Sequence, residues 1–262
     1  MVKVFAIVCQ KGGVGKTTTA VNLGIEMVRQ GKRVLLIDAD SQGSMTASLG
    51  FRDPKIFTES LASIMSKIIA DTPIDTSKGI LKHTEGVYLL PATADLAAME
   101  MNLVNAISRE SIMREYIYQI SMEFDYIIID TQPSLGLLTI NALAAADSVI
   151  IPVQAEFLAA KGLEQLLNTV FRIQKRINNS LKISGILPTM INERTNDSKE
   201  IIRSIANAYG SQIRIFTSIP RAVKVSESSK LGCSIYQNAP NSKAAMAYEA
   251  FAKEVIPNAC EK

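Results

Sequence analysis

Short apolar runs alternate along the chain with longer segments in which apolar residues recur every three or four positions. The runs predict strands over 3–8, 33–38, 87–91, 126–130, 148–152, 182–188 and 213–218. The amphipathic segments predict helices over 16–30, stopped by Gly31, and over 57–70, 95–121, 135–145, 158–178, 197–209 and 242–255. Alternation of this kind is the pattern of a parallel sheet with right-handed crossovers. Tyr126-Ile127-Ile128-Ile129 is apolar at every position, which requires burial on both faces. The fold class expected is therefore α/β: one domain over residues 1–262, with a mostly parallel twisted sheet flanked by helices on both faces. The stretch 71–82, holding Pro73 and Gly79, is the expected excursion from that frame.

The first strand runs into Gln10-Lys11-Gly12-Gly13-Val14-Gly15-Lys16-Thr17-Thr18-Thr19. Strand, glycine-rich loop and helix start make a phosphate cradle, because the glycines let successive N–H groups turn toward one anion. The helix opening at Lys16 adds unpaired N–H groups and a positive dipole end. Lys16 can reach β- and γ-phosphates, and the Thr17 hydroxyl is placed to ligate Mg²⁺. The common loop G-x-x-x-x-G-K-[ST] would carry glycine at position 10. This chain has Gln10 there and a second lysine, Lys11, after it. Lys11 lies too early to duplicate Lys16 and suits a cation lent to a partner's nucleotide, as arginine fingers are.

Ligands gather at the carboxyl ends of strands in open α/β sheets. The second strand ends in Asp38-Ala39-Asp40-Ser41-Gln42-Gly43, and the fourth ends at Asp130, followed by Thr131-Gln132-Pro133-Ser134. An acid after a hydrophobic strand supports a metal shell in the Walker B arrangement. Alone, either acid could equally be a helix cap or turn residue.

Composition narrows the classes. Of 262 residues 47% are hydrophobic, Trp is absent and the net charge is +3, so any nucleic-acid contact must come from a local patch. Cys9, Cys233 and Cys260 form no CxxC pair and the only histidine is His83, which argues against a zinc or iron–sulfur site within one chain and for a reducing, cytoplasmic setting. The N-terminus enters strand and loop at once, leaving no signal peptide. The most apolar stretch, 135–153, is interrupted by Asn141 and Asp147 and divides into helix and strand.

The motifs resemble the ParA/Soj type of partition ATPase, a deviant Walker A group. The matching pieces are Lys11 to Thr19, Asp38 to Gly43, Tyr126 to Asp130, Pro133 to Leu143, Ile151-Pro152-Val153-Gln154, Gly185 to Met190 and Ile219-Pro220-Arg221, in the family's order over almost the full length. No helix-turn-helix segment precedes the loop, which resembles the short, Soj-like branch. The resemblance implies binding and hydrolysis of ATP with Mg²⁺ in an ATP-sandwich homodimer. Nucleotide would be held by Lys11, Gly12, Gly13, Val14, Gly15, Lys16, Thr17 and Thr18, with Met190, Asn192 and Pro220 along the adenine. Lys11, Lys16 and Asp40 would be catalytic, and Thr17, Asp38, Asp40 and Asp130 would serve the metal. Non-specific DNA contacts fall on Arg194 and Lys224, beside Arg221, and a ParB-like centromere-binding partner would stimulate hydrolysis to segregate a plasmid, chromosome or mobile element on the nucleoid.

Four positions depart from the family pattern. Ser41 and Gln132 stand where prolines are usual, Asn192 where Asp is common, and Lys224 where Arg is common; the last keeps charge but loses the planar fork. Other basic residues, Arg172, Lys175, Arg176, Lys199, Arg203, Arg214 and Lys230, read on pattern alone as solvated faces. The rival reading is a MinD-like ATPase attached to membranes through a basic C-terminal helix. Here Lys243 and Lys253 are offset by Glu249 and Glu254, so no membrane is expected. A redox ATPase resembling nitrogenase iron protein would need paired cysteines. An adaptor with a degraded site would not keep Lys11, Lys16, Thr17, Asp40 and Asp130.

Overall fold

The computed structural model describes residues 2–154, 159–192 and 196–256. Among the described residues seven strands form one sheet: β1 (Lys3–Ile7), β2 (Val34–Ala39), β3 (Leu81–Lys82), β4 (Tyr88–Leu90), β5 (Tyr126–Thr131), β6 (Ser148–Gln154) and β7 (Lys182–Thr189), in the order β3-β4-β2-β5-β1-β6-β7. Every pairing is parallel except β3 with β4 at one edge. The expected fold class is thus observed, with a short antiparallel edge that the apolar pattern did not reveal.

Helices cover both faces, as the continuous strands require. On one side Leu35, Ile37, Ile127 and Ile129 pack with Leu61 and Met65 of α3 (Leu61–Ile69), Tyr116 of α5 (Ile112–Ile120), Leu138 of α6 (Leu137–Ala145) and Val170 of α7 (Ala159–Arg176). On the other, Leu36, Ile128 and Ile7 meet Leu23 and Met27 of α1 (Lys16–Arg29) and Tyr248 and Phe251 of α11 (Lys243–Val255). Alternate residues of β2 and β5 therefore serve opposite cores.

The helix expected over 95–121 is two: α4 (Asp95–Leu103) and α5. Asn141 of α6 holds the break between them. Its Nδ2 donates to Arg109 O at 2.7 Å and its Oδ1 accepts from Met113 N at 3.1 Å. The strand expected over 213–218 appears only as bridges, Ile186 to Ile215 and Ile191 to Pro220. That segment runs beside β7 and hydrogen-bonds to it. Pro188, whose carbonyl faces that segment and accepts from Ile219 N, lacks the N–H that would carry the ladder on from Ile186, so no continuous ladder forms. Helix 57–70 begins late, at Leu61, because Ser60 and Ser63 close a reciprocal cap. Helices α2 (Ser44–Ser48), α9 (Val223–Leu231) and α10 (Ile235–Asn238) were not predicted; α8 (Asn196–Tyr209) was. Among the described residues no helix is long and apolar enough to cross a membrane.

Candidate nucleotide site

The loop from Gln10 to Gly15 links β1 to α1 at the carboxyl edge of the sheet. Gly13 and Gly15 have φ of 74° and 86°, a left-handed conformation that side chains with a Cβ rarely adopt. Gly15 precedes α1 with no side-chain cap, so the helix's first amides face the loop's concavity. Val14 is buried, and its carbonyl accepts from the buried Thr189 hydroxyl at 2.7 Å, tethering the loop to β7. The two lysines diverge. Lys16 is 7% exposed and its Nζ donates to Lys11 O at 3.3 Å, whereas the Lys11 residue lies exposed on the loop's rim.

Parallel pairing sets Asp38 beside Asp130 on neighbouring strands, with Ile7 of β1 flanking Asp130 on its other side. Both acids are buried. Asp38 is well supplied with donors: Thr46 N at 2.8 Å and Thr46 Oγ1 at 2.7 Å reach one oxygen, and Asp40 N at 3.3 Å the other. Asp130 Oδ2 accepts from Thr17 Oγ1 at 2.6 Å, but its buried Oδ1 has no hydrogen-bond partner among the described residues. Burial pushes the Asp38 carboxyl up to about 6 despite those donors. The Asp130 carboxyl is raised too, first by burial and then by the charge of Asp38; Thr17 and Lys16 pull the other way. Asp40 is half-buried at the start of the next turn, its Oδ1 accepting from Gln42 N at 3.0 Å.

Two buried carboxylates side by side, one with an orphan oxygen, next to a threonine hydroxyl and an open helix terminus, leave an unmet need for positive charge. A hard divalent cation meets it, and Thr17, Asp130, Asp38 and Asp40 are the oxygen donors at hand. The lysine and the free amides above them suit the phosphates such a cation accompanies.

Beside the loop a cavity of about 420 Å³ is lined by Gly15, Thr18, Met190, Pro220, Val225 and Tyr248, among others. The volume suits a nucleoside. Met190 and Pro220 thus fall together on its wall, while Asn192 lines an adjoining groove with Arg221, Lys224 and Lys243. Arg221 and Lys224 are exposed, and Lys224 Nζ lies 2.7 Å from Glu227. Arg194 and the side chain of Lys199 lie outside the described residues. Sequence reasoning missed Thr46, Thr189 and Tyr248, which act through contacts with distant segments. Thr189 fell within the matched piece Gly185 to Met190 but was given no role there.

A family model described as an AAA domain matches residues 2–183. The sporulation initiation inhibitor protein Soj of Bacillus subtilis (strain 168) is 44% identical over 262 residues, spanning 98% of this chain and 100% of the relative. The chromosome partitioning protein ParA of Myxococcus xanthus (strain DK1622) is 40% identical over 256 residues, 97% of this chain and 88% of the relative. Among solved structures, cobyrinic acid a,c-diamide synthase from Mycobacterium smegmatis, with bound ATP analog and magnesium, superposes with a TM-score of 0.82 at 36% identity, covering 96% of this chain and 93% of that one. With its doubled loop lysine and paired strand-end acids, the chain belongs to the ParA/Soj family of partition ATPases.

Proposed function

We propose that this ATPase is a nucleotide-timed DNA-partition switch that binds ATP and Mg²⁺ at the loop, closes into a homodimer with ATP and adheres non-specifically to DNA in that state. The observation that carries this reading is the divergence of the two loop lysines: Lys16 is buried within its own loop and Lys11 stands on the rim, where a second subunit would meet it. Gly12, Gly13, Val14, Gly15, Lys16, Thr17 and Thr18 cradle the phosphates, and Met190 and Pro220 wall the base. Thr17 and the acids Asp38, Asp40 and Asp130 hold Mg²⁺, which supplies charge neutralisation on the phosphates when bound. Asp40, the least buried of the three acids, orients the attacking water, and Lys11 stabilises charge on the neighbour's nucleotide.

Arg221 and Lys224, together with Arg194, provide the DNA contacts, which go to phosphates and weaken with salt. A ParB-like centromere-binding protein stimulates hydrolysis and releases the dimer, moving a plasmid, chromosome or mobile element over the nucleoid in the cytoplasm. Attachment to a membrane through α11 is the weaker reading. Its buried residues Ala244, Ala245, Tyr248, Phe251 and Ala252 belong to the core it shares with α1, and Lys253 is paired with Glu249 at 2.7 Å.

Light scattering with a non-hydrolysable ATP analogue and Mg²⁺, run beside DNA co-sedimentation, tests the reading. The expected result is a doubling of mass and DNA retention that appear only with nucleotide. A monomer at saturating analogue, or equal retention without nucleotide, overturns it. Lys11→Ala is expected to keep nucleotide binding and to lose partner-stimulated turnover.

A further inference from the structure

The segment after Asp130 is tied to a helix that no motif singled out. We propose that Glu100 of α4 is a positioning residue for ATP hydrolysis, holding the loop after Asp130 through Gln132 and coupling it along α4 to the turn after Asp38.

Gln132 Nε2 donates to both Glu100 oxygens, at 3.1 and 2.9 Å. The carboxylate occupies space that a side chain at position 136 would contest: a Cβ on Gly136 would lie 2.0 Å from Glu100 Oε1. Either side of this tie the backbone is pinned. Thr131 Oγ1 donates to Ile7 O at 2.9 Å, and Thr139 Oγ1 to Ser134 O at 2.8 Å. The loop between them has few alternatives while Glu100 is in place. Proline, usual in the family at position 132, could not make this tie; it is a property of this chain's glutamine.

The other end of α4 reaches Asp38. Ala92, in the turn leading into α4, donates its N–H to Thr46 Oγ1 at 3.1 Å, and Thr46 donates from both N and Oγ1 to Asp38. Leu96, Met99 and Leu103 seat α4 in the core, so the helix moves as a unit. A closed circuit results: Asp38, Thr46, Ala92, α4, Glu100, Gln132, Thr131, Asp130. Through the β2–β5 pairing its two ends are neighbours. A shift in the turn after Asp38 is thereby felt in the loop after Asp130, although the two segments are far apart in sequence.

Steady-state ATP hydrolysis by the full chain tests this. Glu100→Ala is expected to lower kcat about tenfold, from loss of the Gln132 amide's tie to a charged group, with KM for ATP unchanged. Glu100→Gln, whose amide oxygen still accepts from Gln132, restores most of the rate. Gln132→Ala, at a half-exposed position, gives the same loss, and the double variant loses no more than either single. Unchanged kcat in Glu100→Ala, a parallel rise in KM, no rescue by Glu100→Gln, or additive losses in the double variant would each overturn the proposal. A lowered melting temperature with normal kcat per folded molecule would show that the tie serves the fold alone.

Discussion

Strands β2 and β5 lie side by side and carry acids at both ends of the pair, and the two ends treat charge in opposite ways. At the amino end Asp125 precedes β5 and Arg33 precedes β2. Arg33 Nη2 meets Asp125 Oδ1 at 2.9 Å, Arg33 N meets Asp125 Oδ2 at 2.8 Å, and both side chains remain open to solvent. The hydrogen bonds from Arg33 hold the Asp125 carboxyl below its ordinary value. At the carboxyl end Asp38 and Asp130 are buried against each other, both raised, with one oxygen of Asp130 unpartnered among the described residues. One end is electrostatically settled by the chain itself. The other is settled only when something positive arrives, and selection for stability alone would not leave it so.

The sharpest way to break that contrast is to remove the unsettled acid. Asp130→Ala is expected to cut ATP turnover by about 100-fold or more, as loss of a metal-supporting group does. It should leave the melting temperature of the metal-free protein no lower than the parent's, because it deletes a buried carboxylate that lacks a full set of donors. Paired kinetics and thermal unfolding in EDTA check this. Turnover within a few-fold of the parent would show that Asp130 is a buried strand-end acid and nothing more.

That Asp130 ends a strand was readable from Tyr126 to Ile129, and the loop from Lys11 to Thr17 announced itself through residue types and spacing. Such features are local, and local sequence carries them. What the sequence could not show was which distant groups satisfy them. Thr46 reaches Asp38 from a five-residue helix too short to leave a periodic signal. Thr189 holds Val14 across 175 residues of chain. Asn141 splits the helix expected over 95–121 from another helix altogether. Each is a polar side chain satisfying a group on another element, and no period encodes that. Strand 213–218 failed for a readable reason: the proline at 188 was in plain view, but only the pairing partner showed that its missing N–H falls in the ladder between β7 and this segment.

Thr46→Val gives a middle-sized effect and sharpens the contrast within the carboxyl end. Asp38, unlike Asp130, is supported by its scaffold, and the hydroxyl of Thr46 both donates to Asp38 and accepts from Ala92 N. Valine removes both bonds and leaves a buried N–H unpaired, which is expected to cost about 1–3 kcal/mol of stability. Urea unfolding of the metal-free protein measures it. An unchanged midpoint would mean that Asp38 is held by its strand neighbours and not by α2.

The smallest effect belongs to the settled end. The pairing of Asp125 with Arg33 lowers the native carboxyl below its ordinary 3.8, so its contribution is fully present above that value and is lost as pH falls through the depressed native one. Arg33→Ala should therefore melt slightly below the parent at neutral pH, by about 1–2 °C at most since the pair is exposed and screened. The gap should shrink to nothing as the pH is taken below the native value of Asp125, and shrink likewise in high salt at neutral pH. Turnover should not change at any pH, because the amino end of the sheet touches none of the residues around the loop. A gap that widened on acidification would reverse the sign of the Asp125 shift and remove the comparison's settled half. A loss of turnover would mean that strain at one end of β2 and β5 reaches the acids at the other.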